Sequence, residues 1–284
     1  MSTTLREPMP LLEYAALFAP LHGRLLEVLQ PLADEGWERS TRAGAWRVRD
    51  VAAHLLDNEL RALSYRRDRM RPPPPFAPVD GFQPLVGYLA RLNQGWVDVF
   101  TRFSPRVLLD LLAWSGPQVA AVMAALDPFA DALFPVAWAG EERSANWMDV
   151  AREYTERWHH QQQIREALGR PLLEEAAFLR PLLHVSVRAL PRAYASTDAP
   201  EATAVVVEIT GAAGGSWSLL RASGRWTLRE GRADTPAAHL RMDERFAWRL
   251  FFKAVPEEER SSGITSEGDT RLAAPLASAL AVMA

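Results

Sequence analysis

The chain has 284 residues, of which 48% are hydrophobic and 24% are charged, as in a globular protein with a full core. The formal net charge of −3 gives no basic footprint, which argues against nucleic acid as a partner. The absence of cysteine excludes disulfides, thiolate metal ligands and a cysteine nucleophile, so thiol chemistry would need a thiol supplied as a cofactor.

The first 170 residues predict long helices joined by short connections. The expected helices are Leu11 to Glu35, Val48 to Met70, a third at Phe82 to Phe103 that Pro105 to Leu126 continues with a break at Gly116-Pro117, and a fourth that Ser144 caps and that ends at Leu168. Pro72 to Pro75 predicts a stiff connector, and Asp127 to Glu142 an irregular segment. Long helices with short loops are typical of an antiparallel bundle.

The most apolar stretch of the chain runs from Val107 to Leu126. Asp110 and the Ser115-Gly116-Pro117 sequence interrupt it, so we expect a buried helix there and not a membrane span. The N-terminal residues carry acidic groups inside their apolar run and show no signal-peptide pattern. We therefore expect a cytoplasmic protein, a monomer or homodimer, that acts on a small molecule away from membranes.

After Pro171 the pattern changes to shorter segments. We expect a helix at Glu174 to Leu190, strands at Ala202 to Thr210, Ser216 to Arg221, Arg225 to Arg229 and Ala238 to Met242, a helix at Phe246 to Ala254, and a last apolar segment from Leu272 to Ala284. The middle two strands alternate apolar and polar residues around a short turn, which indicates a hairpin. The chain thus predicts two domains: a four-helix bundle over residues 1–170 and an α+β domain with a mostly antiparallel sheet over residues 171–284.

A carboxylate and an imidazole stand four residues apart in the last predicted helix of the bundle. Glu156 and His160 would lie one turn apart on one face, where they could hold a metal ion from one side. His159, three residues from Glu156, is an alternative to His160. An apolar stripe that includes Tyr154 and Trp158 lies nearly opposite, so a solvated face without function is the competing interpretation.

Two polar side chains interrupt the apolar face of the second predicted helix. His54 is either a third metal ligand or a core histidine bonded to a backbone carbonyl or to Asn58, because buried polar groups need partners. Tyr65 follows on the same stripe, where core packing is the simpler role. The histidines expected to be structural or surface residues are His22, His184 and His239.

Three separated segments together resemble a known family. Trp46 to Leu55, Leu92 to Val97 and Glu156 to Arg165 resemble the DinB-like helical bundle superfamily, and most of all the N-terminal domain of the mycothiol-dependent maleylpyruvate isomerase family. This resemblance covers roughly Leu11 to Gly169. The hairpin from Gly214 to Leu228 looks like part of the sterol-carrier-like domain that often follows such a bundle.

The resemblance implies that His54, Glu156 and His160 are metal ligands. The isomerase branch has a glutamate at the middle position, as this chain does. Two histidines and one glutamate with an open position are typical of catalytic zinc, which lowers the pKa of a bound water or thiol. Members of the resembled family bind a low-molecular-weight thiol of the mycothiol or bacillithiol type as thiolate. The thiolate adds to an electrophilic substrate, giving S-transfer or cis-trans isomerisation.

In the resembled isomerases an arginine of the second domain assists the acidic substrate. The candidates here, with Asn58 as a further weak catalytic candidate, are Arg221, Arg225, Arg229 and Arg241. Two other functions stay open at this point. One is a metal-dependent hydrolase that uses the same ligands with bound water, and the other is a binding protein for an apolar, lipid-sized ligand.

Overall fold

The computed structural model describes residues 5–8, 10–11 and 13–282. The chain divides into two compact units. The helical unit comprises Leu12–Leu133 and Ala145–Leu173, and the sheet unit comprises Phe134–Ser144 and the residues from Glu174 onwards, with the N-terminal stretch up to Leu11. A division into folding domains at residue 170 stays a prediction.

Five long helices make up most of the helical unit. In chain order its helices are α1 (Tyr14–Leu29), the short α2 (Asp34–Trp37), α3 (Val48–Ala62), α4 (Phe82–Phe100), α5 (Pro105–Ala124) and α6 (Asn146–Ala167). Helices α1, α5, α3 and α6 each contact two neighbours and close a four-helix ring, while α4 packs mainly against α3. This arrangement confirms the predicted helical bundle, but the expected third helix and its continuation are two separate helices, α4 at the side of the ring and α5 within it.

Several predicted helix ends were wrong. Helix α1 ends before Pro31, which lacks the N–H that a longer helix would need. Ser144 does not cap α6, which begins at Asn146, because the Ser144 hydroxyl accepts a hydrogen bond from the Val136 N–H at 2.9 Å instead. The predicted long second helix changes at Leu63–Arg67 into a π-helical turn.

Helix α5 is continuous through Gly116 and Pro117, where we expected a break. Gly116 lies against the ring of His22, and a Cβ at this position would overlap that ring. His22 is held there by Glu59, whose Oε1 lies 3.1 Å from His22 Nδ1 and whose Oε2 accepts the Ser115 hydroxyl at 2.5 Å. The glycine therefore meets a packing requirement and does not stop the helix.

The same helix has the length and apolar composition of a membrane span, with a mean hydropathy of 1.5. One third of that window is buried inside the protein, so the expectation of a buried helix holds for one face only. Trp114 on the other face is 52% exposed. Core helices of soluble bundles also meet these two criteria, so composition alone does not place α5 in a membrane.

In the part of the chain that the structure describes, the sheet unit has one sheet of five strands. They are β1 (Ala204–Thr210), β2 (Gly215–Ala222), β3 (Arg225–Glu230), β4 (Ala238–Asp243) and β5 (Thr265–Gly268), in the order β3-β2-β1-β4-β5. Strands β1 and β4 are parallel and the other neighbours antiparallel, so the predicted α+β class with a mostly antiparallel sheet is confirmed. The polar strand β5 was not expected.

Among the described residues, the sheet unit contains four α-helices. They are α7 (Ala176–Ser186), α8 (Leu190–Ala193), α9 (Glu244–Phe251) and α10 (Ala274–Ala277). Helix α9 contacts α7 and the parallel pair β1 and β4. The predicted C-terminal segment is a 3₁₀ turn followed by α10, and its last two residues, Met283 and Ala284, lie outside the described residues.

Buried ion pairs join α6 to the π-helical turn that follows α3. Arg66 lies 2.6 Å from Asp149, and Arg157 lies 2.6 Å from Glu153. Arg152 bridges both carboxylates at 2.7 Å. Burial acts to raise the pKa of Glu153, but the charges of the three arginines outweigh it and hold this pKa well below its usual range. Glu153 is therefore ionised throughout the physiological pH range.

Replacing Glu153 by Gln should lower the free energy of unfolding by about 3 kcal/mol at pH 7, because the buried arginines lose their charge partner. Because the pKa of Glu153 is lowered in the folded protein, its ionised carboxylate contributes fully to the free energy of unfolding above the unfolded-state pKa of about 4.3. This contribution is progressively lost as the pH falls below that value. Urea unfolding from pH 7 down to pH 3 should show that the difference in free energy of unfolding between the wild type and the variant becomes smaller below about pH 4. The exposed Glu142→Gln variant is the control, and a gap that does not depend on pH would contradict this account.

Replacing Gly116 by Ala should destabilise the helical unit by about 1–2 kcal/mol. The added methyl group must displace the His22 ring, and the free-energy cost of that displacement exceeds the gain from the higher helix propensity of alanine. In a His22→Ala background the same change should be neutral or stabilising by up to about 1 kcal/mol. Thermal unfolding of the four proteins tests this. An equal penalty in both backgrounds would show that the histidine is not the cause.

Candidate metal centre

Three donor side chains converge between α3 and α6. His54 comes from α3, and Glu156 and His160 lie one turn apart on α6, as their spacing indicated. One ligand atom of each residue lies within 4.8 Å of those of the other two. Glu156 Oε1 stands between the two imidazoles, 2.9 Å from His54 Nε2 and 3.2 Å from His160 Nε2. These separations suit a single ion with bonds of about 2 Å.

The three donors differ in exposure. The side chain of His54 is 2% exposed and that of His160 13%, while Glu156 is 34% exposed. The ring of Trp46 covers both histidines, with its centroid 5.2 Å from that of His54 and 6.4 Å from that of His160. The cluster is thus closed on the imidazole side and open beside the carboxylate, which leaves access for a small molecule.

Gln163 separates the roles of the two adjacent histidines. Its Oε1 lies 2.7 Å from His160 Nδ1, so this nitrogen carries the proton and Nε2 of the same ring is left to bind at the cluster. The Gln163 amide nitrogen lies 3.0 Å from His159 Nε2, which must accept. Burial lowers the pKa of His159 to about 3. The structure therefore brings His160 to His54 and Glu156 and leaves His159 outside the cluster.

Contacts within the cluster shift the pKa of each member. Burial lowers the pKa of His54, and its hydrogen bond to Glu156 opposes part of that effect. Burial acts in the same direction on His160, but the charge and hydrogen bond of Glu156 raise its pKa above the ordinary value. Burial would raise the pKa of Glu156, yet the two histidines hold it well below its usual range. The cluster therefore combines a fixed anion with two imidazoles and favours positive charge at its centre.

The donor set fits a divalent metal ion. Two imidazoles and one carboxylate are ligands that zinc accepts in catalytic sites, with a fourth position open. Gln163 supplies His160 with the outer hydrogen bond that commonly orients a ligating histidine. His54 Nδ1 is buried and has no hydrogen-bond partner in the part of the chain that the structure describes. His54 is positioned instead by packing between Trp46 and His160, whose ring centroid lies 4.7 Å away.

A second group of polar side chains lies beside His54. Asn58 Nδ2 is 3.3 Å from His54 Nε2, and Arg61 Nη2 donates to Asn58 Oδ1 at 2.6 Å. Trp46 Nε1 donates to Gln94 Oε1 at 2.9 Å, which ties the loop before α3 to α4. Gln94 lies in the segment Leu92 to Val97 that carries part of the family resemblance, but nothing in the sequence indicated a role for Arg61, because polar residues on solvent-facing helix surfaces are common.

The candidate arginines of the second half lie on the sheet. Arg221 stacks on the Trp226 ring at 5.9 Å and Arg225 is exposed at the start of β3. Arg229 pairs with Glu7 at 2.7 Å, and Arg241 lies 3.7 Å from Glu208. Each thus has an ordinary structural or surface environment within the sheet unit. Their catalytic role stays a prediction.

The remaining histidines have structural surroundings. His239 pairs with Glu208 at 2.8 Å on the sheet, and His22 with Glu59 in the bundle. Burial lowers the pKa of His184, in α7, to about 4. None of them belongs to the cluster around Glu156, in agreement with the expectation from sequence.

Comparison with known proteins places this site in a family. The family model described as the mycothiol maleylpyruvate isomerase N-terminal domain matches residues 18–165, which is just over half of the chain and includes all three donors. The chain belongs to this family. The family resemblance seen in the sequence is thereby confirmed for the isomerase branch. No curated protein matches the chain in sequence.

Solved structures extend the likeness to the whole chain. The crystal structure of the mycothiol-dependent maleylpyruvate isomerase aligns with a TM-score of 0.55 at 12% sequence identity, over 91% of this chain and 93% of that chain. A variant of that enzyme with a histidine replaced by alanine aligns with the same values. At this identity the likeness shows a shared fold across both units.

Replacing His160 by Ala should abolish binding of a stoichiometric metal ion, because two donors cannot complete the site. His159→Gln should keep about one ion per chain, since His159 is not among the three donors that approach one another within 4.8 Å and its Nε2 faces the Gln163 amide. Elemental analysis of the purified proteins after dialysis gives the measurement, with circular dichroism as the check on folding. Retention of metal by His160→Ala together with its loss from His159→Gln would reverse the assignment.

Proposed function

We propose that this protein is a metal-dependent enzyme that uses a low-molecular-weight thiol to transfer sulfur to, or isomerise, a small electrophilic substrate. His54, Glu156 and His160 would hold a divalent ion, and their donor set is one that zinc accepts. The observation that carries the proposal is their convergence on one point in a chain of the mycothiol maleylpyruvate isomerase family. The lack of cysteine agrees with a thiol that comes from a cofactor.

The metal ion, when bound, supplies the Lewis acidity that keeps a thiol deprotonated near neutral pH. The protein side chains do the rest. Glu156 contributes the negative charge that retains a cation, and Gln163 keeps the proton of His160 on Nδ1. Trp46 shields the two histidines from water and so strengthens the electrostatic interactions at the site.

The solved relative suggests the first reaction to examine. That relative is a mycothiol-dependent maleylpyruvate isomerase. Reversible addition of a thiolate to a cis double bond turns it into a single bond, which can rotate before the thiolate leaves. An electrophilic cis-alkene that carries carboxylates is therefore the substrate class we propose. A sterol-carrier-like sheet unit, a DinB-like origin of the bundle and a cytoplasmic location are further parts of this proposal.

The test is turnover of maleylpyruvate, and of a panel of simpler electrophiles, by the metal-loaded protein with and without added mycothiol. We expect product only when thiol is present, and a loss of at least about 100-fold in His54→Ala, which lacks a ligand. Turnover of ester or amide substrates without thiol would favour a hydrolase instead. A metal-free protein that retains an apolar ligand through purification would favour a binding protein.

A further inference from the structure

The orientation of one amide beside the metal ligands is fixed by a charged neighbour. Arg61 Nη2 lies 2.6 Å from one end of the Asn58 amide and 2.9 Å from Asp57 Oδ2. A guanidinium has donors only, so the end of Asn58 that faces it must be the carbonyl oxygen. The NH₂ group of Asn58 then faces the other way, towards His54 Nε2 at 3.3 Å.

His54 Nε2 can accept a hydrogen bond from that NH₂ group only when it carries neither a proton nor a metal ion. This nitrogen is also 2.9 Å from Glu156 Oε1, and it has room for one proton or one lone pair. With a proton on Nε2 the ring donates to Glu156 and offers Asn58 no acceptor. With a metal ion bound, the lone pair is occupied by the metal. In both cases an amide N–H points beside the convergence point of the three donors and needs an electron-rich partner there.

We propose that Asn58 is a catalytic residue that donates a hydrogen bond to the sulfur of the bound thiolate, and that Arg61 is the positioning residue that prevents the amide from turning over. The inference rests on the proposed function and deepens it. Hydrogen bonds to a charged acceptor are about twice as strong as those between neutral groups. Asn58 would therefore favour the thiolate over the neutral thiol and over an uncharged occupant of the open position.

Two acceptors on its own helix hold the Arg61 guanidinium in place. Asp57, on the same helix, is nearly buried, and its carboxylate shares Arg61 Nη2 with Asn58. The Nη2 group has two hydrogens, which these two close acceptors use, so the 3.4 Å contact to Asn93 is the weakest of the three. Removal of Asn93 should consequently leave the Asn58 amide where it is.

The test uses the full-length protein with Co(II) in place of zinc and 2-mercaptoethanol as the probe thiol. The thiolate-to-cobalt absorption band reports thiol binding without any turnover. In Asn58→Ala the thiol Kd should rise about ten-fold or more, from the loss of a hydrogen bond to a charged group. The Co(II) Kd should stay within about three-fold, because the three ligands are untouched and the metal-bound His54 Nε2 makes no hydrogen bond to Asn58. The apparent pKa for thiolate formation should rise by about one unit.

Three further variants separate orientation from packing. Asn58→Asp keeps the shape of the side chain but removes the donor, so its thiol Kd should rise at least as much. Arg61→Met should raise the thiol Kd by about three-fold in the wild-type background, because the amide can then turn over, and should have no effect in the Asn58→Ala background. Asn93→Ala is the matched control and should bind thiol as the wild type does.

Equal thiol affinity of wild type and Asn58→Ala, or an Arg61→Met effect that persists without Asn58, would overturn the inference and leave the proposed function intact. A wild-type Co(II) protein that gives no thiolate band would overturn both. Rescue of a normal Kd by Asn58→Gln, whose longer amide retains an N–H donor, would support the hydrogen bond as the cause.

Discussion

The candidate centre depends on one constraint: the register of α3 and α6, that is, their relative position along the helix axes. One ligand stands on the first helix and two on the second, and a slip of one helical turn, about 5.4 Å, would take the donors out of each other's reach. The buried pairs of Arg66 with Asp149 and Glu153 prevent such a slip. A displaced α6 would leave charges buried without partners, which costs several kcal/mol per pair.

The need to fix that register accounts for the many polar side chains that α6 buries in the bundle. Most buried positions of α6 that are not apolar carry charge or an amide, including Glu153, Arg157 and Gln161. Gln161 donates to the Leu21 carbonyl at 3.0 Å, which links α6 to α1 in the same way that Arg66 links it to the end of α3. Directional contacts of this kind specify one arrangement of the helices, whereas an all-apolar seam tolerates sliding. A centre made of side chains from two helices needs that specificity.

Much of the fold could be predicted from periodicity and from proline and glycine. The alternation around Trp217 and Trp226 indicated the hairpin, and Gly169 ends α6 with a positive φ of 62°. The errors have physical causes. Ser144 has the chemistry of a cap, but a distant backbone N–H takes its hydroxyl. Strand β5 is polar and lies at the edge of the sheet, so it lacks the apolar pattern that identifies inner strands.

The sequence predicted the candidate centre only in part. Helical spacing predicts that Glu156 lies near both His159 and His160, and nothing in the spacing chooses between them. The choice is made by Gln163, whose two ends bind the two imidazoles differently. The direction of the Asn58 amide could not be foreseen either, because it depends on an arginine whose own position is set by Asp57. Residue types and spacing predict which groups meet, but hydrogen-bond direction follows from the assembled neighbours.

The π-helical turn at Leu63–Arg67 restricts how the sequence of this bundle can change during evolution. Its wider loops, such as the Asp68 N–H to Leu63 carbonyl bond at 3.0 Å, accommodate one residue more than α-helical geometry would. Deleting a single residue there would restore ordinary winding and turn the side chains within Leu63–Arg67 to new directions, while the flanking residues keep their places. Arg66 would then face away from α6. Relatives that lack this extra residue should therefore anchor the same helix pair through different side chains.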